Sequence, residues 1–330
     1  MAKRRLTKRQ QARIAQNQES KGPAVIDTEI ESSLQAEQAG FVVAHFGTQV
    51  LVQSTGNSNV QQRAYMRANT PALVVGDKVL WQAGLDIGVV NNRLPRRNML
   101  ERPDHRGKPR AVAANIEKLF VVIAPEPPAY YNFIDRYLVA CEYHNMQPVL
   151  VLNKIDIEGD TLDASREILQ LYRDIGYECL EVSSTTGQGL DELRQAISGH
   201  QIMLAGQSGV GKSSLTNELI PDANTAVGAL SHVAPSGRHT TTASHWYAVG
   251  DGGLIDSPGI REFSLNHMSQ NDILAGFMEC QALLEHCKFR DCSHQNTKGC
   301  AIIAAAEAGI IPEPRLRSLY VLLNECDQSL

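Results

Sequence analysis

The 330-residue chain has no long hydrophobic run. No stretch approaches the ~18 apolar residues of a membrane-spanning helix, and no apolar segment of the secretory type follows the basic start of the chain. We therefore expect a soluble, cytoplasmic protein that does not contact membranes. Cysteine is also scarce, since there are seven in the chain, and without an export signal they favour free thiols or metal ligands over disulfides.

Charge is unevenly distributed along the chain. The net charge is -5, but residues 1–22 contain seven basic residues against one acidic residue, so the rest of the chain carries about -11. This basic start has no repeating apolar face. It could bind nucleic acid or could be a solvated tail, and we interpret residues 1–39 as a disordered tail and linker.

Short alternating segments follow between residues 40 and 93. Five strands are predicted, at residues 40–46, 49–53, 61–67, 78–82 and 87–91. They predict a small all-β barrel, for which an OB-fold is the first choice, and we assign residues 40–110 to it. Such barrels often bind RNA, but a purely structural barrel fits equally well, and Trp81 is assigned to the core. The basic cluster at residues 93–110 favours RNA contact, and its prolines predict a loop or domain junction.

From residue 111 the sequence alternates between strands and helices, which predicts an α/β domain over residues 111–265. The predicted elements are a strand at 118–124, a helix at 131–145 and strands at 148–152 and 179–182. Asn153-Lys154-Ile155-Asp156 follows the second strand and fits NKxD, the guanine-reading sequence of GTPases. The Asp156 carboxylate can accept two hydrogen bonds from guanine, while Asn153 and Lys154 would brace the ring and the phosphate loop. Ser183 and Ser184 resemble the short motif that contacts guanine O6.

A phosphate-binding loop, G-x-x-x-x-G-K-[ST], spans residues 206–213 between a predicted strand at 201–205 and a helix at 213–219. The flanking strand and helix disfavour a Gly-rich turn without ligand. Glycines let backbone N–H groups turn towards phosphates, Lys212 would reach the β- and γ-phosphates, and Ser213 would ligate Mg²⁺. The predicted nucleotide-binding residues here are Gly206, Gln207, Ser208, Gly209, Val210, Gly211, Lys212, Ser213 and Ser214.

Two later segments fit the switches of GTPases. The sequence GRHTTT at residues 237–242 lies where a first switch is expected. After a predicted strand at 253–255, Asp256 and Gly259 complete DxxG, in which Asp256 contacts the Mg²⁺ shell and the Gly259 N–H binds the γ-phosphate. Ile260 occupies the position where many GTPases carry a water-orienting glutamine, so His239 becomes the candidate for that task. A contact of His239 with RNA or phosphate, or loop stabilisation, fits equally well.

Cys287, Cys292, His294 and Cys300 form the pattern C-x4-C-x-H-x5-C. Three thiolates and one imidazole complete a tetrahedral set for one structural zinc and leave no open position for catalysis. The alternative is chance clustering of buried cysteines, and the other four are assigned to the core. Helices predicted at 271–285 and 314–324 would complete a small α-helical zinc-binding domain over residues 266–330.

The motifs occur in an unusual order, because NKxD precedes the phosphate loop, and this order indicates a circularly permuted GTPase domain. The chain resembles the ribosome small-subunit-dependent GTPases of the RsgA (YjeQ) type from residue 41 to about residue 320. The resemblance implies the same four zinc ligands and implies that Thr241, rather than Thr240, ligates Mg²⁺. It also implies subunit-stimulated GTP hydrolysis, contact with ribosomal RNA, and a role in late maturation of the small subunit with release of an assembly factor.

Two classes of function compete on this sequence. One is a GTP hydrolase whose nucleotide state controls binding to the small ribosomal subunit. The other is an RNA-binding scaffold that GTP merely rigidifies. The intact residues Lys212, Ser213, Thr241, Asp256 and Gly259 favour the hydrolase, with His239, Lys212 and Thr241 as its catalytic residues. We expect this enzyme to be a monomer.

Overall fold

The computed structural model of the protein describes residues 31–56, 60–103, 109–220, 244–256, 265, 268–295 and 297–327. The chain divides into two compact units, Met1–Pro95 and Arg96–Leu330. None of the helices in these described ranges combines the length and apolarity needed to cross a bilayer. The predicted four-part division of the chain stays a prediction.

The first unit contains a closed five-stranded barrel, as the alternating segments predict. Its strands are β1 (Gln38–Phe46), β2 (Gln49–Ser54), β3 (Gln61–Met66), β4 (Lys78–Gln82) and β5 (Gly88–Arg93). They follow the order β1-β2-β3-β5-β4, and β4 pairs back onto β1 to close the sheet. Alternate residues such as Val42, Val50 and Val79 fill the interior with Trp81, which is fully buried. The assignment of Trp81 to the core is therefore confirmed.

Sequence analysis expected a loop or domain junction over residues 93–110. The boundary between the two units falls in this range, between Pro95 and Arg96, and a two-stranded hairpin follows it. Strands β6 (Met99–Pro103) and β7 (Pro109–Ala114) pair antiparallel, with a register shift between Leu100 and Glu101. Pro103 and Pro109 lie opposite each other at the end of this ladder, where a missing N–H is tolerated. Two of the prolines that suggested a loop therefore lie at strand ends.

A six-stranded sheet forms the centre of the second unit. Its strands are β8 (Lys118–Ile123), β9 (Gln147–Leu152), β10 (Glu178–Glu181), β11 (Gln201–Ala205), β12 (His245–Val249) and β13 (Gly252–Asp256). Within this unit the order is β10-β9-β8-β11-β13-β12. All neighbours are parallel except β12 and β13, which sequence analysis did not predict as a pair. Strands β8 and β9 are almost continuously apolar because parallel strands are covered on both faces.

Helices connect the parallel strands. They are α1 (Tyr131–Tyr143), α2 (Asp160–Ile175), α3 (Leu190–Ile197) and α4 (Lys212–Leu219). Apolar residues of α3 and α4, including Leu193 and Leu215, join those of β8, β9 and β11 in one core cluster. This alternation confirms the α/β domain.

The C-terminal segment is helical, but the helix predicted over residues 271–285 is wrong as a single element. It consists of α5 (Gln270–Ala275), α6 (Met278–Gln281) and a 3₁₀ turn (Leu284–His286), and α7 (Ala301–Glu307) and α8 (Glu313–Asp327) follow. The break occurs at Gly276, where a Cβ would lie 2.5 Å from the Cα of Val139 in α1. The chain turns there because α5 approaches α1 more closely than a side chain allows.

A buried group that we call the ion cluster joins this segment to α1. Its centre is Arg315 in α8, which is fully buried and bonded to Asp135 of α1. Two further bonds, of 2.7 and 2.9 Å, join its guanidinium to Glu279 in α6. The Tyr172 hydroxyl donates to Asp135 at 2.5 Å, and the Phe277 ring centroid lies 4.2 Å from the guanidinium carbon. Burial raises the pKa of the Asp135 carboxyl, and Arg315 opposes that rise.

Candidate functional site

The predicted nucleotide motifs lie at one edge of the six-stranded sheet. Strands β8, β9, β10, β11 and β13 are parallel, so their carboxyl ends meet at this edge. Asn153 follows β9, Ser183 follows β10, Gly206 follows β11, and Asp256 ends β13. This is the position where open α/β sheets bind ligands.

The loop at residues 206–213 has the backbone of a phosphate-binding loop. Gly206, Gly209 and Gly211 have φ values of 140°, 89° and 95°, which residues with a Cβ rarely adopt. A Cβ at Gly206 would also lie 2.3 Å from the carbonyl oxygen of Val122 in β8. Helix α4 begins at Lys212, so Ser213 and Ser214 lie in its first turn, where free N–H groups and the helix dipole favour an anion.

The ammonium group of Lys212 lies at the loop itself. Its Nζ donates to the carbonyl oxygens of Gly206 at 2.7 Å and Gln207 at 2.6 Å. These bonds hold a positive charge beside the N-terminus of α4. A phosphate bound at this loop therefore meets both the helix dipole and the lysine.

Asn153 ties three of the motifs together. Its side chain is fully buried, and its Nδ2 donates to the Val210 carbonyl oxygen at 2.9 Å. Its Oδ1 accepts from the Ser184 N–H at 3.2 Å. One amide thus connects the guanine-reading sequence to the phosphate loop and to the segment after β10.

Ser183 holds Asp156 in place. The Ser183 hydroxyl is buried and donates to the Asp156 carboxylate at 2.5 Å, while the N–H groups of Thr185 and Thr186 donate to the hydroxyl at 3.2 and 3.0 Å. These bonds fix the carboxylate that would read guanine. In this structure the Ser183 side chain acts on Asp156, and the sequence motif alone did not distinguish that from a direct contact with the base.

Sequence analysis missed the segment after β8. Lys154, whose φ is 64°, donates from Nζ to the carbonyl oxygen of Glu126 at 2.8 Å. A Cβ built on Gly209 would lie 3.5 Å from Cδ of Pro127, so this segment also borders the phosphate loop. One sequence feature could have identified this segment. It is a Pro-Glu-Pro-Pro sequence directly after a buried strand, at the same edge of the sheet as the recognised motifs.

The predicted Mg²⁺ ligands are described only in part. Ser213 lies at the start of α4 and Asp256 at the end of β13, which pairs with β11 directly before the loop. A hydroxyl and a carboxylate at one sheet edge are ligands that Mg²⁺ accepts. His239, Thr241 and Gly259 lie outside the described residues.

The C-terminal segment brings Cys287, Cys292, His294 and Cys300 together. Their Sγ and Nδ1 or Nε2 atoms all lie within 4.8 Å of one another. The His294 Nδ1 atom is 3.6 Å from Cys287 Sγ and 3.5 Å from Cys300 Sγ, and those two sulfurs are 4.0 Å apart. Ligand atoms of a tetrahedral site with metal–sulfur bonds of about 2.3 Å lie roughly 3.8 Å apart, so the cluster fits a metal ion.

Burial affects the protonation of this cluster. It lowers the pKa of the His294 imidazole, which favours the neutral form that binds metals. It raises the pKa of the Cys300 thiol to about 11. A cation at the centre would reverse the effect on the thiol, because a thiol that ligates a metal loses its proton. The spacing of the four donors and the neutral imidazole are therefore suited to a cation.

Comparisons with known proteins find relatives of this chain. A family model described as RsgA GTPase matches residues 93–266. The chain is 47% identical over 333 residues to a protein of Pseudomonas aeruginosa (strain UCBPP-PA14) named small ribosomal subunit biogenesis GTPase RsgA, with 98% of each chain covered.

Solved structures show the same architecture. The crystal structure of YjeQ from Thermotoga maritima matches with a TM-score of 0.74 and 28% identity, over 88% of this chain and 99% of that one. YloQ, described as a circularly permuted GTPase, matches with a TM-score of 0.74 over 90% of this chain and 97% of its own, and at 24% identity it supports the fold alone. The predicted fold class and permuted order are confirmed.

Proposed function

The chain belongs to the RsgA GTPase family, and from that membership we propose that it hydrolyses GTP during late maturation of the small ribosomal subunit and releases an assembly factor. One observation carries the proposal. Ser183 fixes the Asp156 carboxylate, and the Asn153 amide holds the phosphate loop beside it. Asp156 selects guanine, because N1–H and N2–H can both donate to its two oxygens. Adenine offers no such pair of donors, so Asp156 would keep only the bond from Ser183, and the lost bonds cost roughly 1–3 kcal/mol or more.

The phosphates bind at the loop and the first turn of α4. Lys212 stabilises charge on the β- and γ-phosphates, and the Gly259 N–H binds the γ-phosphate. Ser213, Thr241 and Asp256 hold Mg²⁺ or its water shell. Mg²⁺ bound with GTP supplies charge stabilisation at the transferred phosphoryl group.

His239 positions the attacking water in this proposal. Ile260 offers no hydrogen bond, so a neighbouring polar side chain is needed, and His239 lies two residues before Thr241. A neutral imidazole can hold a water molecule or accept its proton. Intrinsic hydrolysis should therefore be slow, and the small ribosomal subunit should stimulate it.

The Cys/His cluster stabilises the fold in this proposal, and the basic segments bind RNA. One structural zinc is held by Cys287, Cys292, His294 and Cys300. The distances among their donor atoms fit a tetrahedral zinc site. The basic residues of the tail and of residues 93–110 contact ribosomal RNA through its phosphates. We place this activity in the cytoplasm and assign it to a monomer.

Guanine selectivity is tested with Asp156→Asn. GTP affinity should fall by about tenfold or more while affinity for xanthosine triphosphate rises, and ATP should compete poorly with GTP on the unmodified protein. Asp191→Asn is the matched control, because this carboxylate is 95% exposed in α3. Equal competition by ATP would refute the assignment.

The water-positioning role is tested with His239→Ala at saturating small subunits. Turnover should fall by about 10²- to 10⁴-fold with nearly unchanged GTP affinity. Unchanged stimulated turnover would remove His239 from the mechanism. A protein whose hydrolysis does not respond to the subunit at all would instead favour the scaffold alternative.

A further inference from the structure

An exposed aromatic side chain lies between the first two cysteines of the Cys/His cluster. Phe289 is 47% exposed in a short loop from Cys287 to Cys292. Single exposed apolar side chains are common in proteins, so exposure alone assigns no role. The residues around Phe289 give the reason to assign it a role.

Lys288 is held against Phe289 by the fold of the cluster. The Lys288 N–H donates to the Gly299 carbonyl oxygen at 3.1 Å, which links the chain next to Cys287 to the chain next to Cys300. Gly299 has a φ of 85°, and a Cβ there would lie 3.1 Å from the Lys288 Cβ. The lysine stem therefore packs over this glycine, and its Nζ lies 5.4 Å from the centroid of the Phe289 ring.

The surface around this ring is cationic. Lys288, Arg290 and Lys298 are all exposed, and none forms an ion pair with another residue in the described part of the chain. Asp291 is the one carboxylate between residues 286 and 300. This local excess of positive charge contrasts with the acidic balance of the chain beyond residue 22.

We propose that Phe289, with Lys288, Arg290 and Lys298, binds single-stranded RNA by stacking on one unpaired base. A nucleotide offers a flat base flanked by phosphates, and Phe289 is flanked in sequence by two cations. Unpaired bases stack on exposed aromatic side chains in RNA-binding proteins, and cations nearby neutralise the phosphates. An acidic peptide would engage the cations but offers no flat face to the ring. The proposal rests on the proposed function, because it assumes RNA as the partner.

Phe289→Trp gives a direct test in the full-length protein. The two natural tryptophans, Trp81 and Trp246, are 0% and 8% exposed, so emission that responds to added ligand reports on position 289. An unstructured RNA of about 12 nucleotides, within the usual site size, should quench this emission as it saturates. The unmodified protein, titrated in parallel, supplies the background. Unchanged emission at RNA concentrations that saturate binding by fluorescence anisotropy would overturn the proposal.

Affinity provides the second readout. Phe289→Leu, which keeps an apolar side chain and removes the ring, should weaken binding of the same RNA by about 5- to 150-fold at constant salt, whereas Phe289→Tyr should retain it. Lys298→Gln should instead reduce the dependence of log affinity on log salt by about 0.7. Tyr143→Leu is the matched control, because Tyr143 is 45% exposed in α1. Thermal unfolding of each variant checks that it folds.

The outcomes separate this proposal from the proposed function. Subunit-stimulated hydrolysis with no effect of Phe289→Leu on RNA affinity would overturn the stacking site alone. Quenching of Phe289→Trp by polyglutamate as strongly as by RNA would assign the surface to an acidic protein and would also overturn it. RNA-dependent quenching in a protein whose hydrolysis ignores the small subunit would support the stacking site while the proposed function fails.

Discussion

The Cys/His cluster and the ion cluster around Arg315 both hold the C-terminal helices, but they draw their residues from very different distances along the chain. All four donors of the Cys/His cluster lie between residues 287 and 300. The ion cluster joins Arg315 and Glu279 to Asp135 and Tyr172, which are more than a hundred residues earlier. The first cluster organises one short segment, whereas the second attaches α6 and α8, which lie on either side of that segment in the chain, to α1.

The two clusters also differ in what stabilises them. Ligation of a cation would contribute much of the folding free energy of a small segment that has few buried side chains. The ion cluster instead contains charges that folding removes from water, and their mutual attraction must offset that cost. Loss of one residue should therefore have different consequences in the Cys/His cluster and in the ion cluster. Three experiments measure this difference.

Loss of a metal ligand should have the largest effect. Cys292→Ser, or chelation of the unmodified protein, should unfold residues 284–300, because a metal ligated there would supply much of their stability. Hydrogen exchange should become fast there and change little in β8, β9 and β11. Cys179→Ser serves as the control, since Cys179 lies outside the cluster at β10. Equal protection of residues 284–300 from hydrogen exchange with and without metal would show that metal ligation does not stabilise this segment.

Loss of Arg315 should have the next largest effect. Arg315→Met leaves Asp135 and Glu279 buried without their cation, and the free energy of unfolding should fall by about 3–5 kcal/mol. Denaturant unfolding of the metal-loaded protein measures this. Arg317→Met, on the same helix but 75% exposed, should cost less than about 1 kcal/mol. Similar losses for both variants would show that burial of the ion cluster is unimportant.

The smallest effect should come from Tyr172→Phe. This change removes the hydroxyl that donates to Asp135 and keeps the buried ring. A hydrogen bond to a charged group contributes about 1.5–3 kcal/mol, so unfolding free energy should decrease by that amount. Tyr143→Phe, at an exposed position, should leave stability unchanged within about 0.5 kcal/mol. A Tyr172→Phe protein as stable as this control would mean that the remaining contacts of Asp135, Arg315 among them, are sufficient to stabilise it.

The same contrast explains how much the sequence could predict. The phosphate loop, NKxD and the cysteine spacing are local, since their chemistry fixes residue types within a few positions, and the strands preceding them follow from apolar runs. The barrel strands were predicted from alternation and are confirmed. Features of this kind can be predicted because the residues that define them are close together in the sequence.

Contacts between distant segments could not be predicted in this way. Arg315 sits in a helix that sequence analysis located correctly, yet nothing in its neighbours indicates that it is fully buried against Asp135. The bond from Lys154 to the Glu126 carbonyl oxygen involves a backbone atom, which any residue type would supply. The break at Gly276 depends on how closely α5 approaches α1. Each of these features depends on packing that forms only in the folded protein.

The strand order of the six-stranded sheet has a consequence for the protein during its own synthesis. Strands β8, β9 and β10 are made first and lie side by side, so they can pair before the rest of the sheet exists. Strand β11 then adds at the free edge of β8, and the β12–β13 hairpin adds at the free edge of β11. No later strand has to separate two that are already paired. A nascent chain therefore completes its guanine-reading half first and gains the ability to hold phosphates only when residues 201–256 have left the ribosome.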